Sequence, residues 1–188
     1  DVKKITLIKS KVKMPVFGNY GVAMIFFPKE QKLINQCKKI ITDILKVYDL
    51  EVFFERSVPV NNKILSKVMI ESAPDIRQLF IKHKKEKIVS EKLNTKLFLL
   101  GKMITNKITF AAKKNIFLNN FYICSMSTTT INYKGMLLSD LVRKYFLDLN
   151  NKNYKSNFSL IHQRFSTNTF PSWDLAQPFK MICHNGEI

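Results

Sequence analysis

The sequence predicts an α+β fold, and three observations predict it. Apolar runs of strand length, such as Tyr20 to Phe27 and Phe121 to Ser127, are bounded by proline or polar turns. Longer stretches with apolar residues three and four apart lie among them. Strand-like runs also follow one another with no helix between, which argues for mixed layers rather than a doubly wound parallel sheet.

In chain order, Tyr20 to Phe27 reads as a buried strand ended by Pro28. A helix follows from about Lys29 to Tyr48, where Leu33, Ile34, Cys37, Ile40, Ile41, Ile44, Leu45 and Tyr48 recur at three- and four-residue steps while Lys32, Lys38, Lys39 and Lys46 fill the gaps. Leu50 to Val58 returns to strand content and stops at Pro59 and the Asn61-Asn62 pair. A short helix near Ile64 to Glu71 and a strand through Ile76 to Ile81 come next. The lysine-rich stretch from Lys84 to about Lys107 reads as a helix, weakened toward its end by Gly101 and β-branched residues. Phe121 to Ser127 and Thr129 to Tyr133 read as neighbouring strands, followed by a helix from about Leu137 to Leu149. Phe158 to Phe165 reads as another strand, Ser166 to Gln177 as a long irregular loop, and Phe179 to His184 as the last strand. There is no internal repeat and no linker long enough to split the chain.

At 188 residues and 46% hydrophobic content the chain can bury a core, which excludes a disordered tail as the main reading. Its longest apolar runs fall far short of the roughly 20 residues that span a bilayer. The opening "DVKKITLIKSKVKMP" has neither an initiator methionine nor the apolar core of a signal peptide, so it reads as an internal start.

The formal charge of +17 invites a nucleic-acid reading, but its distribution argues against one. Arginine, the residue suited to bidentate phosphate contacts, occurs only at Arg56, Arg77, Arg143 and Arg164; the rest is scattered lysine. From Ser156 onward Arg164 and Lys180 balance Asp174 and Glu187, so the excess lies upstream of the motifs. Cys37, Cys124 and Cys183 show no CxxC spacing, and their odd number argues for a reducing compartment rather than a disulfide framework.

The five glycines form neither a P-loop nor a GxGxxG turn. His83, His162 and His184 with Cys183 fit no zinc spacing, so no metal site is expected. "HQRFSTNTFP", from His162 to Pro171, is more informative. If Phe158 to Phe165 is a buried strand, Arg164 needs an anion, and its donor fork suits a carboxylate, with Thr167 offering a hydroxyl to the same group. On the residue alone, an internal salt bridge to a carboxylate of the fold is the plainer explanation of Arg164. At Asn185-Gly186 a side-chain amide stands beside an unobstructed backbone N–H, a pair that suits an oxyanion or an ordinary turn.

The stretch "LIHQRFSTNTFPSWDLAQPFKMICHNGEI", Leu160 to Ile188, resembles the glutaminase domain of the glutamate synthase family, of the large-subunit or ferredoxin-dependent type. The resemblance continues upstream through "NYGVAMIFFPK", "SAPDIRQLFI" and "FYICSMSTTTINYKGMLL", so it covers nearly the whole chain. Lys180 stands where the family leads one to expect arginine, and Cys183 where a small residue is expected.

The resemblance implies an Ntn-hydrolase-type four-layer αββα sandwich, incomplete at both ends, with residues 1–188 an internal part of a single glutamine amidotransferase domain. It implies that Arg164 binds the α-carboxylate of L-glutamine with help from Thr167, and that Asn185 and Gly186 form the oxyanion hole. The nucleophilic N-terminal cysteine and the downstream synthase domains are expected outside these residues, so the isolated chain is expected to be inactive. No cofactor is expected in this stretch; FMN and an iron-sulfur cluster are implied for the full-length enzyme, which turns the released ammonia and 2-oxoglutarate into glutamate. The implied partners are the synthase domain of the same chain and, as electron donor, ferredoxin or a nicotinamide-linked small subunit, with no nucleic acid and no membrane span. The implied location is cytoplasm or plastid stroma. A related Ntn amidotransferase and a non-catalytic basic binding module are the competing readings.

Overall fold

The computed structural model describes residues 12, 14–84, 90–113, 116–165 and 168–181. Its elements in chain order are β1 (Tyr20–Phe27), α1 (Gln31–Val47), β2 (Leu50–Ser57), a 3₁₀ turn (Asn62–Ile64), α2 (Lys67–Ser72), β3 (Asp75–His83), α3 (Ser90–Ala112), a second 3₁₀ turn (Ile116–Asn120), β4 (Tyr122–Ser127), α4 (Ser139–Tyr145) and a third 3₁₀ turn (Leu147–Asn150). They fall into two compact units. One is Pro15–Ser57 with Pro74–Ile131; the other combines Val58–Ala73 with the described residues from Asn132 onward.

The first unit is a sheet backed by helices. Its four strands are antiparallel in the order β2-β3-β1-β4. All eight residues of β1 are buried, which is why its sequence is continuously apolar instead of alternating. Ala23, Ile25 and Phe27 of β1 join Leu79 and Ile81 of β3 in one core with Leu33, Ile34, Cys37, Ile41 and Leu45 of α1 and with Leu93, Leu97, Leu100, Ile104 and Ile108 of α3. The three- and four-residue spacing in both helices is therefore the footprint of this sheet face.

Local chemistry sets the ends of these elements. Gly18, at φ 88°, turns the chain into β1, and a Cβ there would also lie 3.1 Å from the Ser90 Cβ. Asp49, at φ 57°, closes α1 and starts β2, in a conformation that aspartate tolerates better than most side chains. The Asn94 carboxamide oxygen accepts from Ser127 Oγ at 2.8 Å and from the Thr128 N–H at 3.0 Å, so α3 holds the end of β4.

Two residues are extra in the ladders. Val52 pairs with Ile81 and Phe54 with Phe80, leaving Phe53 out of register; Met24 pairs with Ser125 and Ile25 with Ile123, leaving Cys124 out. Beyond its bulge the edge strand β2 presents Glu55, which meets Lys38 Nζ at 2.6 Å and Arg77 Nη1 at 2.7 Å; Arg77 Nε also meets Asp75 at 2.6 Å. Burial pushes the Glu55 carboxyl up, but the hydrogen bonds and charges of Lys38 and Arg77 outweigh it and hold the group below its ordinary value. Hydrogen bonding to Asp75, helped by Glu55, raises Arg77 against a smaller opposing effect of burial.

The second unit is held less by periodic packing than by individual contacts. Ser66 caps α2 through the Met69 N–H at 3.4 Å. A short bridge pairs Val60 with Phe146, flanked by hydrogen bonds from Asn61 N to Tyr145 O at 2.9 Å and from Leu147 N to Pro59 O at 3.1 Å. Tyr133 stands edge-on to Phe146 and Tyr154, and its hydroxyl donates to the buried Asp148 carboxylate at 2.8 Å. Burial, with Tyr154 and Asp148 beside it, pushes the Tyr133 hydroxyl well above its usual range.

The α+β class and the first unit agree with the sequence reading to within a few residues, except that α3 runs later than expected. Three expectations are corrected. Thr129 to Tyr133 is not a strand, because the Thr129 and Thr130 N–H groups turn back onto Ser127 Oγ at 3.1 and 3.3 Å. The helix expected over Leu137 to Leu149 is Ser139–Tyr145 followed by a tight turn, and Phe146 leaves it to form the bridge. Phe158 to Phe165 is not a strand: Phe158, Leu160 and Ile161 are 77%, 69% and 82% exposed, so the segment has no buried face to fix a register. The last expected strand is irregular over residues 179–181, and the rest of it lies outside the described residues. Among the described residues the sheet of the first unit is the only one.

Candidate active site

Of the four residues singled out for substrate and oxyanion binding, Arg164 is described; Thr167, Asn185 and Gly186 lie outside the described residues. Arg164 is exposed, and its backbone N–H donates to His162 Nδ1 at 3.3 Å. This corrects the argument that made Arg164 a buried cation in search of an anion. Among the described residues no carboxylate meets the guanidinium, so the internal salt bridge is not made there. Its donor fork suits an incoming carboxylate.

The loop of residues 172–179, downstream of Arg164, is firmly held, and the residues that hold it do not stand out in the sequence. Trp173 is buried, donates from Nε1 to Ser72 Oγ at 3.2 Å and lies 5.6 Å from the Tyr145 ring. Its six-membered ring covers Gly135 so closely that a Cβ there would come within 2.5 Å of it. Next to Gly135, Lys134 is 2% exposed; its ammonium donates to the Asp174 carbonyl at 2.7 Å and lies 4.7 Å from the centre of the Phe179 ring. Asn132 Nδ2 reaches the Pro178 carbonyl at 3.5 Å, and the Gln177-Pro178 bond is cis. Within the loop, Ser172 Oγ donates to Asp174 Oδ1 at 2.6 Å and the Ala176 N–H to Ser172 O at 3.2 Å. The one signal for this arrangement in the sequence was "NYKG", a lysine just before a glycine in a largely apolar stretch.

Neither described cysteine has the surroundings of a nucleophile. Cys37 is fully buried in the first unit's core, and burial pushes its thiol up to about 11; Cys124 is buried in β4. Cys183 lies outside the described residues. Among the described residues no three of His, Cys, Asp and Glu gather as metal ligands would, and no helix is long and apolar enough to cross a membrane.

Residues 2–188 match the family described as glutamine amidotransferases class-II, and the chain belongs to that family, whose fold is of the Ntn-hydrolase type. The chain is 38% identical over 170 residues to the chloroplastic ferredoxin-dependent glutamate synthase of Oryza sativa subsp. japonica, 40% over 183 residues to the NADH glutamate synthase of Saccharomyces cerevisiae, and 41% over 171 residues to the ferredoxin-dependent glutamate synthase of Antithamnion sp.. These alignments take in 90%, 93% and 90% of this chain but only 10%, 8% and 11% of the relatives, so the chain spans about a tenth of their length.

Proposed function

We propose that these residues are part of the glutaminase domain of a glutamate synthase, which hydrolyses L-glutamine to glutamate and ammonia and passes the ammonia on to 2-oxoglutarate. The observation that carries this reading is the family match from residue 2 to residue 188, joined by the three relatives above, each called a glutamate synthase. Arg164 supports it in detail, as an exposed guanidinium with no carboxylate on it among the described residues.

In this reading Arg164 pairs with the α-carboxylate of glutamine through two parallel N–H···O bonds, and Thr167 adds a hydroxyl. A cysteine supplied by the longer protein attacks the side-chain amide carbon. The carbonyl electrons move onto oxygen, where the Asn185 amide and the Gly186 N–H stabilise them; collapse expels ammonia and leaves a thioester, which water hydrolyses to glutamate. Cys37 and Cys124 take no part, being buried. The 188 residues alone should therefore release no ammonia from glutamine.

FMN and the iron-sulfur cluster would sit elsewhere in the longer protein, and the synthase domain there would be the partner of this one. Either ferredoxin or a reduced nicotinamide suits as electron donor, since both types occur among the relatives' names. Cytoplasm or plastid stroma suits cysteines that are buried and, among the described residues, form no disulfide. The deciding experiment is glutamine hydrolysis by the complete protein and its Arg164→Ala variant. The variant should raise KM by about a hundredfold, the loss of a hydrogen-bonded charge pair worth ~3 kcal/mol. An unchanged KM would remove Arg164 from the site.

A further inference from the structure

We infer that Lys134 is a positioning residue for this glutaminase site, tethering the loop of residues 172–179 that separates Arg164 and Thr167 from Asn185 and Gly186 in the sequence. The inference rests on the glutaminase reading above. An ammonium at 2% exposure is costly to bury unless it is hydrogen-bonded, and an apolar side chain would fill the same space without that cost. What the charge gains here is a hold on both ends of one loop: the Asp174 carbonyl at 2.7 Å near its start and the Phe179 ring at 4.7 Å at its end. Gly135 adds the close seat for Trp173, one residue before the first of these points. The loop is eight residues of irregular backbone, and such a segment keeps one conformation only if its surroundings impose it. Arg164 is the described site residue nearest this loop in the sequence, and a carboxylate-binding group on a less firmly held stretch of chain binds glutamine less tightly, a loss read in KM.

The test uses the complete protein, with Lys134→Met to keep the stem and remove the charge, and Lys134→Arg to restore a donor. Lys134→Met should raise KM for glutamine about tenfold, with a smaller change in kcat. Lys134→Arg should recover at least part of that loss, and glutamate formation from ammonium supplied directly should stay within about twofold of wild type in both variants. A fall in kcat at unchanged KM, the mark of fewer folded molecules, would overturn the inference, and so would unchanged kinetics. Backbone hydrogen exchange over residues 172–179 should be faster in Lys134→Met than in wild type, and unchanged exchange overturns the tether whatever the activity. If the wild-type protein releases no ammonia from glutamine, the glutaminase reading fails and takes the claim on substrate with it; the exchange result still decides whether Lys134 holds the loop.

Discussion

The two compact units are stabilised by different means. In the first, β1, β3, α1 and α3 share one apolar core, so each side chain is backed by many others and no single polar contact decides the arrangement. In the second, short elements are joined by particular atoms: Ser66 on the Met69 N–H, Tyr133 on Asp148, Trp173 on Ser72, Lys134 on Asp174. A repeating core tolerates loss by spreading it, whereas a chain of single contacts is only as well ordered as each of them. The candidate site residue Arg164 belongs to the second kind of structure, where position is set contact by contact.

This contrast can be broken most forcefully from the core. Phe27→Ala removes a fully buried ring from β1 and should cost about 3–5 kcal/mol, seen as a lower denaturant midpoint for the first unit. Trp173→Phe tests the other side: it keeps a ring but loses the bond to Ser72, and should cost about 1 kcal/mol with the change confined to hydrogen exchange around residues 172–179. Equal global losses from the two substitutions would erase the distinction.

Two titrations sharpen it. The Cys37 thiol, buried and pushed up to about 11, should react with thiol reagents at pH 8 only as fast as the first unit unfolds. Because its folded value is raised, stability should fall as pH rises past the ordinary thiol range and on through 11; Cys37→Ala should remove that part of the alkaline loss. The smallest effect is expected at Glu55. Its folded value is lowered, so its contribution is present above the ordinary carboxylate range and disappears as pH falls through the folded value. Glu55→Gln should cost about 1 kcal/mol at neutral pH and less in acid, as the group is partly exposed.

What the sequence reveals follows the same division. Leu33, Ile34, Cys37, Ile41 and Leu45 repeat because one sheet face repeats, so the helix they form can be read without knowing what it packs on. The segment from Phe158 to Phe165 carries apolar residues in a strand-like order, yet a strand needs a partner, and sequence order alone does not supply one. Of the candidate site, Arg164 stands out through a long motif and not through periodicity, and its exposure is the opposite of what a buried strand from Phe158 to Phe165 implies. Lys134 was missed because a lysine beside a tyrosine and a glycine looks like surface; its burial depends on residues some forty positions away, Asp174 and Phe179.

The extra residue in β4 bears on how this strand can change over evolutionary time. Ile123 opposite Ile25 and Met126 opposite Ala23 both join the helix-facing core although they are three positions apart, an odd step that only a surplus residue between them permits. Cys124 is that surplus. Losing one residue from a buried strand ordinarily turns every later side chain to the wrong face, but losing Cys124 would leave Ser125, Met126 and Ser127 opposite the same partners as before. At this position the chain can shorten by one codon without turning the residues that follow to the wrong face.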